Sequence, residues 1–240
     1  GYKIRLPLDV ILMASANPED YTNRGRLITP LKDRFGSQIR THYPLETSTE
    51  VAIMRQEARQ LSIGNVKVLM PEYMEDVVAT ISHLARRSSN VNQRSGVSVR
   101  LSVSNYEVIG ANAVRRALRL GETEVTPRIC DLDSIGASSS GKIEIESLDD
   151  RGSDSVLDQI VNSACLQVFR SRVDQTLLPE VVAAFEQGVI AHTGEEVAAA
   201  ELARLVETVP ALRASVSQLT GGVETPSAVA GAVEFILEGL

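Results

Sequence analysis

The feature that most constrains this fold is the stretch 8–42. It opens with the uninterrupted apolar run Val10-Ile11-Leu12-Met13-Ala14, which passes through small residues to Asn17-Pro18. A continuous apolar run of this length suits a strand buried on both faces of a parallel sheet. A short helix is expected over 28–35, closing on Asp33-Arg34-Phe35-Gly36, and a second strand over 37–43. Ligands of such open sheets sit beyond the carboxyl ends of the strands, which places Asn17 where a ligand would lie. Plainer readings stand beside this one. Asn17-Pro18 also fits a strand-end turn, and Arg34-Phe35-Gly36 fits a helix C-terminus with a cation suited to the dipole.

The rest of the chain reads as helices. Over 47–61, Val51, Met54, Ala58 and Leu61 recur at helical spacing, with Thr47 or Ser48 as cap and Gly64 beyond the end. Pro71 opens a second helix, with Glu72, Glu75 and Asp76 near its positive end and Arg86-Arg87 near its negative end. Val77, Val78, Ile81 and Leu84 form its apolar stripe. A polar loop over 90–96 leads to a long helix ending at Gly121, with Val103, Tyr106, Ile109, Ala113 and Ala117 on one face. The charged, Gly-containing segment 149–154 is the best linker candidate. Helices are expected over 155–173, 179–188 and 195–219, the last interrupted at Pro210, and a final one is capped by Thr225-Pro226.

Charge is unevenly spread along the 240 residues. Residues 1–120 carry 17 Lys and Arg against 11 Asp and Glu, a balance of +6; residues 121–240 carry 7 against 20, a balance of -13. An anionic ligand therefore suits the first half, and nucleic acid or an anionic membrane does not suit the second. Arg115, Arg116 and Arg119 end the long helix, where cations need no ligand, and no aromatic residues interleave them. Nucleic acid is not expected. Cys130 and Cys165 lie far apart; a structural disulfide between them is one reading, and two thiols in a reducing compartment is the better fit. No metal-ligand spacing is visible, and no apolar run approaches the roughly 18 residues of a membrane span. Glu195, Glu196 and Glu201 read as solvated helix faces.

One motif misleads. Gly136 to Lys142 spells GxxxxGK, but Ile143 stands where a P-loop carries the Ser or Thr that holds magnesium. A short amphipathic helix is expected over 127–135 and an alternating strand over 142–146, the reverse of the strand–loop–helix order a P-loop needs. The motif reads as a Ser/Gly turn.

Taken together, Ala16-Asn17-Pro18-Glu19 and Leu31-Lys32-Asp33-Arg34-Phe35-Gly36 resemble the sensor-1 and arginine-finger motifs in the back half of an AAA+ ATPase core. The group is that of the magnesium chelatase I subunit and the MoxR-like ATPases. The helices that follow resemble its lid, in which a Ser-x-Arg opening the third helix is sensor 2. That maps onto Arg100, with Arg94 as the second candidate.

The resemblance implies an α/β remnant with two parallel strands over 1–44, a helical lid over 45–121 and a mainly helical region over 122–240, predominantly α overall. It implies a cytoplasmic ring of identical subunits, six in number, that hydrolyses ATP with Mg2+ between subunits. The ring would remodel a partner protein of the D-subunit or von Willebrand A type, or drive metal insertion. Asn17 would orient the attacking water, Arg34 would reach a neighbour's γ-phosphate, and Arg100 would read nucleotide state. No Walker A loop or Walker B strand precedes these residues, so the chain looks like the C-terminal piece of a longer ATPase, inactive alone and holding no cofactor. A MoxR-like chaperone and a non-catalytic helical interaction module are the alternatives.

Overall fold

The computed structural model describes residues 9–15, 33–59, 62–92, 96–145 and 150–240. It divides into two units, 1–41 and 42–240. In the first unit, the described residues form no strand and only a turn at Asp33–Arg34. The buried strand expected over 10–14 is not formed: Val10, Ile11, Leu12 and Met13 are 72 to 85% exposed. The second expected strand, over 37–43, is likewise irregular, and Ile39 is 88% exposed. The physical reason lies in pairing. A parallel strand takes its backbone hydrogen bonds from neighbouring strands, and the described residues of this unit supply none. The expected helix over 28–35 lies mostly outside the described residues.

The second unit is mainly helical. Its helices are α1 (Thr47–Glu57), α2 (Glu72–Arg87), α3 (Arg100–Leu120), α4 (Ile135–Ser139), α5 (Asp150–Arg172), α6 (Leu178–Glu186), α7 (Ala199–Ala203), α8 (Leu205–Thr208), α9 (Leu212–Thr220) and α10 (Pro226–Gly239). The segment 149–154, expected as a linker, is instead the start of α5 from Asp150 onward. Residues 195–219 form three short helices, not one. The break at Pro210 is as expected, because proline supplies no N–H and fixes its own φ.

A small sheet was not anticipated. Strands β1 (Ser62–Ile63) and β2 (Val66–Val68) form an antiparallel hairpin, with Gly64 in its turn at φ +60°. Strand β3 (Glu124–Val125) pairs with β2 in parallel, Lys67 opposite Glu124 and Val68 opposite Val125. Gly121, at φ +72°, ends α3 in the left-handed conformation and turns the chain back toward β2. Val66 and Val125 then pack on Ala113, Val114 and Ala117 of α3. This parallel pair lies far downstream of the two strands expected over 10–43.

One hydrophobic core runs through the unit. It joins Met54, Val78, Ile81, Leu101 and Ile109 to Phe169, Leu212, Val233 and Phe235. Residues on either side of position 121 therefore share a single interior. Ion pairs tie its layers together. Arg172 of α5 donates from Nε to Asp76 of α2 at 2.8 Å, and Arg55 of α1 forms a forked pair with Glu75 of α2. Helix α10 begins as read from the sequence: the Thr225 side chain accepts from the Ala228 N–H, and Pro226 occupies the first turn.

Helix α10 approaches its neighbours closely through Gly231. A Cβ there would lie 2.8 Å from the Tyr73 hydroxyl and 2.9 Å from the Thr126 methyl. Tyr73 is fully buried and stacks on Phe235 at a ring separation of 4.7 Å, so it has little room to yield. Gly231→Ala should therefore destabilise the protein by roughly 1–3 kcal/mol, the usual cost of overpacking. Urea denaturation checks this, and an unchanged or raised midpoint contradicts it.

Candidate functional site

Of the four residues singled out from sequence, Asn17 and Arg94 lie outside the described residues. Arg34 belongs to the first unit, exposed in the turn at 33–34. Arg100 belongs to the second unit and is the first residue of α3. No two of the four fall in one unit among the described residues.

The start of α3 is held by its surroundings. Leu101 and Ser102 are buried, while Arg100 points outward and is exposed. The Ser98 hydroxyl accepts from the Arg100 backbone N–H at 3.1 Å. Just before it, the Val97 carbonyl accepts from Arg86 Nε at 2.9 Å. Among the described residues, no carboxylate pairs with the Arg100 guanidinium. A cation at a helix N-terminus is electrostatically disfavoured unless an anion attends it.

Beneath this turn lies a charged network centred on Glu50, which is fully buried at 0% exposure. Arg86 meets both of its oxygens, Nη1 at 2.5 Å from Oε2 and Nη2 at 2.7 Å from Oε1. Ser102 donates to Oε1, and the Ser82 and Ser102 hydroxyls lie 2.6 Å apart. The Tyr43 ring covers the Arg86 guanidinium at 4.8 Å. Sequence alone read Arg86 only as a charge suited to a helix end. A signal was nevertheless present: Val78, Ser82 and Arg86 follow one another at intervals of four, so Arg86 continues a buried row.

His83 borders the same carboxylate, its Nε2 3.0 Å from Glu50 Oε2 but without hydrogen-bond alignment. Burial, with Arg86 and Arg87 nearby, lowers the His83 pKa despite the pull of Glu50. The imidazole is therefore neutral near pH 7, and the contact is not a charged pair.

The basic end of α3 is occupied by carboxylates. Arg116 is 1% exposed and donates from Nη2 to Asp131 at 2.9 Å and to the Thr126 carbonyl at 2.9 Å. Arg115 reaches Glu195 at 2.8 Å, and Arg119 meets Glu195 and Glu196, each at 3.2 Å. Donation by the Asn112 amide, with Arg115 and Arg119 adding charge, holds Glu195 below the usual carboxylate range. Glu195 and Glu196 thus belong to the loop before α7 and pair with α3. They do not lie on a helix face as expected, although Glu196 is 81% exposed, whereas Glu201 is exposed on α7 as expected.

The GxxxxGK segment is no phosphate cradle. Residues 135–139 are helical, where a turn was expected. The N–H groups of Ser140, Lys142 and Ile143 donate inward to the Gly136 and Ser139 carbonyls. Lys142 Nζ is spent on the Ser138 carbonyl at 2.8 Å. The strand expected over 142–146 is reduced, among its described residues, to one antiparallel bridge between Ile145 and Val91. Cys130 and Cys165 are free thiols. Among the described residues, no group of three His, Cys, Asp or Glu could hold a metal ion, and no helix is long and apolar enough to cross a membrane.

Comparison with family profiles, with curated proteins and with solved structures finds no match.

Two outcomes follow from the Glu50 network. Arg86→Met strands a buried carboxylate and should cost about 3–5 kcal/mol. Glu50→Gln in the same chain should return part of that loss, as read by chemical denaturation; a cost below about 1 kcal/mol for Arg86→Met contradicts the assignment. For His83, the folded pKa lies below the unfolded value near 6.5. Its contribution is complete above that value and is lost as pH falls toward the folded pKa. The stability of His83→Gln should therefore decline less steeply than wild type on acidification below about pH 6.5. Parallel stability–pH curves for the two proteins rule this out.

Proposed function

We infer that this chain supplies the sensor and arginine-finger part of a ring-forming AAA+ ATPase, resembling the magnesium chelatase I subunit. The observation that carries this reading is Arg100. It is an exposed cation at the first residue of α3, attended by no carboxylate among the described residues and held outward by the Ser98, Ser102 and Arg86 contacts. It lies downstream of the Asn17-Pro18 and Asp33-Arg34-Phe35-Gly36 motifs, in the order the resemblance requires. A planar, permanently charged guanidinium suits phosphate oxygens. An Asn amide can both donate and accept, as a group that orients water must.

In this reading ATP and Mg2+ are held by the Walker motifs of the complete protein. Asn17 positions the attacking water, and Arg34 meets the developing charge on the γ-phosphate across a subunit boundary. Arg100, with Arg94 as the second candidate, links nucleotide state to the position of the helical lid. The ring remodels a partner protein of the D-subunit or von Willebrand A type, either for metal insertion or as a MoxR-like chaperone.

A second reading is a helical interaction module without catalysis. It is favoured by the concentration of the packed core in 42–240 and by the irregular backbone of the described residues in 9–41. ATP turnover by the complete protein separates the two. Arg34→Ala should lower kcat by about 10³-fold or more, the scale of a lost arginine finger. Arg100→Ala should also lower turnover. Normal turnover in both variants removes the ATPase assignment of these arginines and leaves the interaction module.

A further inference from the structure

We propose that the cavity between the N-terminus of α1, one face of α2 and α5 binds a tetrahedral oxyanion, either inorganic phosphate or the phosphate group of a small phosphomonoester. The cavity encloses about 230 Å³. Its α2 wall is the row Thr80, His83, Leu84 and Arg87, whose spacing of three and four puts them on one helix face. Leu45, Glu46 and Thr47 enter from the start of α1, and Gln167 from α5. Neither Arg34 nor Arg100 lines it, so the site stands apart from the ATPase reading.

Thr80 is the telling group. It is only 4% exposed. Its hydroxyl makes no hydrogen bond among the described residues, yet it is not one of the fully enclosed polar atoms left unpaired. The little surface it keeps therefore opens into the cavity it lines. A buried hydroxyl without a partner is costly, and an anion in the cavity would take its O–H. His83 points the same way. Its Nε2 faces Glu50 Oε2 at 3.0 Å, which leaves Nδ1 for the cavity. Nδ1 likewise makes no hydrogen bond among the described residues and is not enclosed.

The surroundings favour negative charge on the ligand. No side chain caps the 11-residue α1, and its first backbone bond runs from the Glu50 N–H to the Glu46 carbonyl at 3.3 Å. The N–H groups of the first turn thus leave positive potential at Thr47. Arg87 is exposed and pairs with no carboxylate among the described residues, so its planar fork is free to meet an oxyanion. Glu46 is the carboxylate of the lining. It is exposed at the rim and opposes the anion. Leu45 and Leu84 offer apolar surface to an organic substituent. The charged groups around His83 are Glu46 and Glu50 from α1 and its approach, and Arg86 and Arg87 from its own helix; α5 brings the neutral Gln167. An anion at Nδ1 offsets the burial and the two arginines that disfavour the charged ring.

The test is calorimetric titration of the 240-residue chain with inorganic phosphate, sulfate and phenyl phosphate at fixed ionic strength. Saturable one-to-one binding is expected. Thr80→Val and Arg87→Gln should each weaken it at least about fivefold, the scale of one lost hydrogen bond to an anion. Glu46→Gln removes a repulsion and should tighten it about twofold. Arg213→Gln makes the same charge change as Arg87→Gln but outside the cavity, and should leave binding unchanged. Sulfate keeps a fixed charge, so it should bind more tightly at about pH 6 than at about pH 8, and His83→Gln should remove that dependence. Phenyl phosphate binding more tightly than inorganic phosphate marks a phosphomonoester as the occupant; equal binding marks free phosphate. No saturable binding by wild type overturns the proposal. So does wild-type affinity in Thr80→Val, or equal weakening by Arg213→Gln and Arg87→Gln, because the anion would then be held by surface charge and not by the cavity.

Discussion

The second unit depends on one buried ion pair, Arg116 with Asp131. Their side chains are 1% and 0% exposed. An isolated charge at such a position is prohibitive, and a pair is tolerated only when its remaining donors and acceptors are met. Here they are. Asp131 also accepts from the Arg128 N–H at 2.8 Å and from Asn112 at 2.9 Å. The Arg128 guanidinium in turn donates to the carbonyls of Gly194 and Val197. Through this chain of contacts α3, the 3₁₀ helix and the loop before α7 take a single arrangement, and Glu234 of α10 lies against the same guanidinium.

This arrangement explains the lopsided charge of the sequence. The cationic first half and the acidic second half meet at α3, where Arg115, Arg116 and Arg119 all find carboxylates from beyond residue 121. The positive cluster is neutralised from within the chain, and little of it is left to attract an external polyanion. Arg100, at the opposite end of the same helix, is outside this compensation. One helix thus has a satisfied end and an end that presents charge outward. That asymmetry is what the ATPase reading of Arg100 rests on.

The helical framework was largely legible. The apolar stripe of α2, the Gly121 terminus of α3 and the Thr225-Pro226 start of α10 all follow from local chemistry, which needs no knowledge of distant residues. Arg116 was less legible because its partner lies outside its own helix. It falls three residues after Ala113, on the apolar face, and this position alone distinguishes it from Arg115. The short strands β2 and β3 offered too few residues for an alternating pattern to emerge. The run Val10–Met13 misled in the opposite direction: its composition demands burial, but burial needs a covering partner, and composition does not provide one. At the candidate site, the residue types and their order were readable, whereas the Glu50 network that fixes the start of α3 was not.

The measurement that most directly tests the central claim is subunit complementation in the complete protein, proposed above to be a ring ATPase. Subunits carrying Arg34→Ala would be mixed with subunits whose nucleotide loop is disabled, and ATP turnover followed against mixing ratio. If Arg34 serves a neighbour's nucleotide, each inactive species supplies what the other lacks, and turnover rises to a maximum at intermediate ratios. A mixture no more active than the sum of its separate components would contradict a shared site and, with it, the ring-ATPase account of this chain.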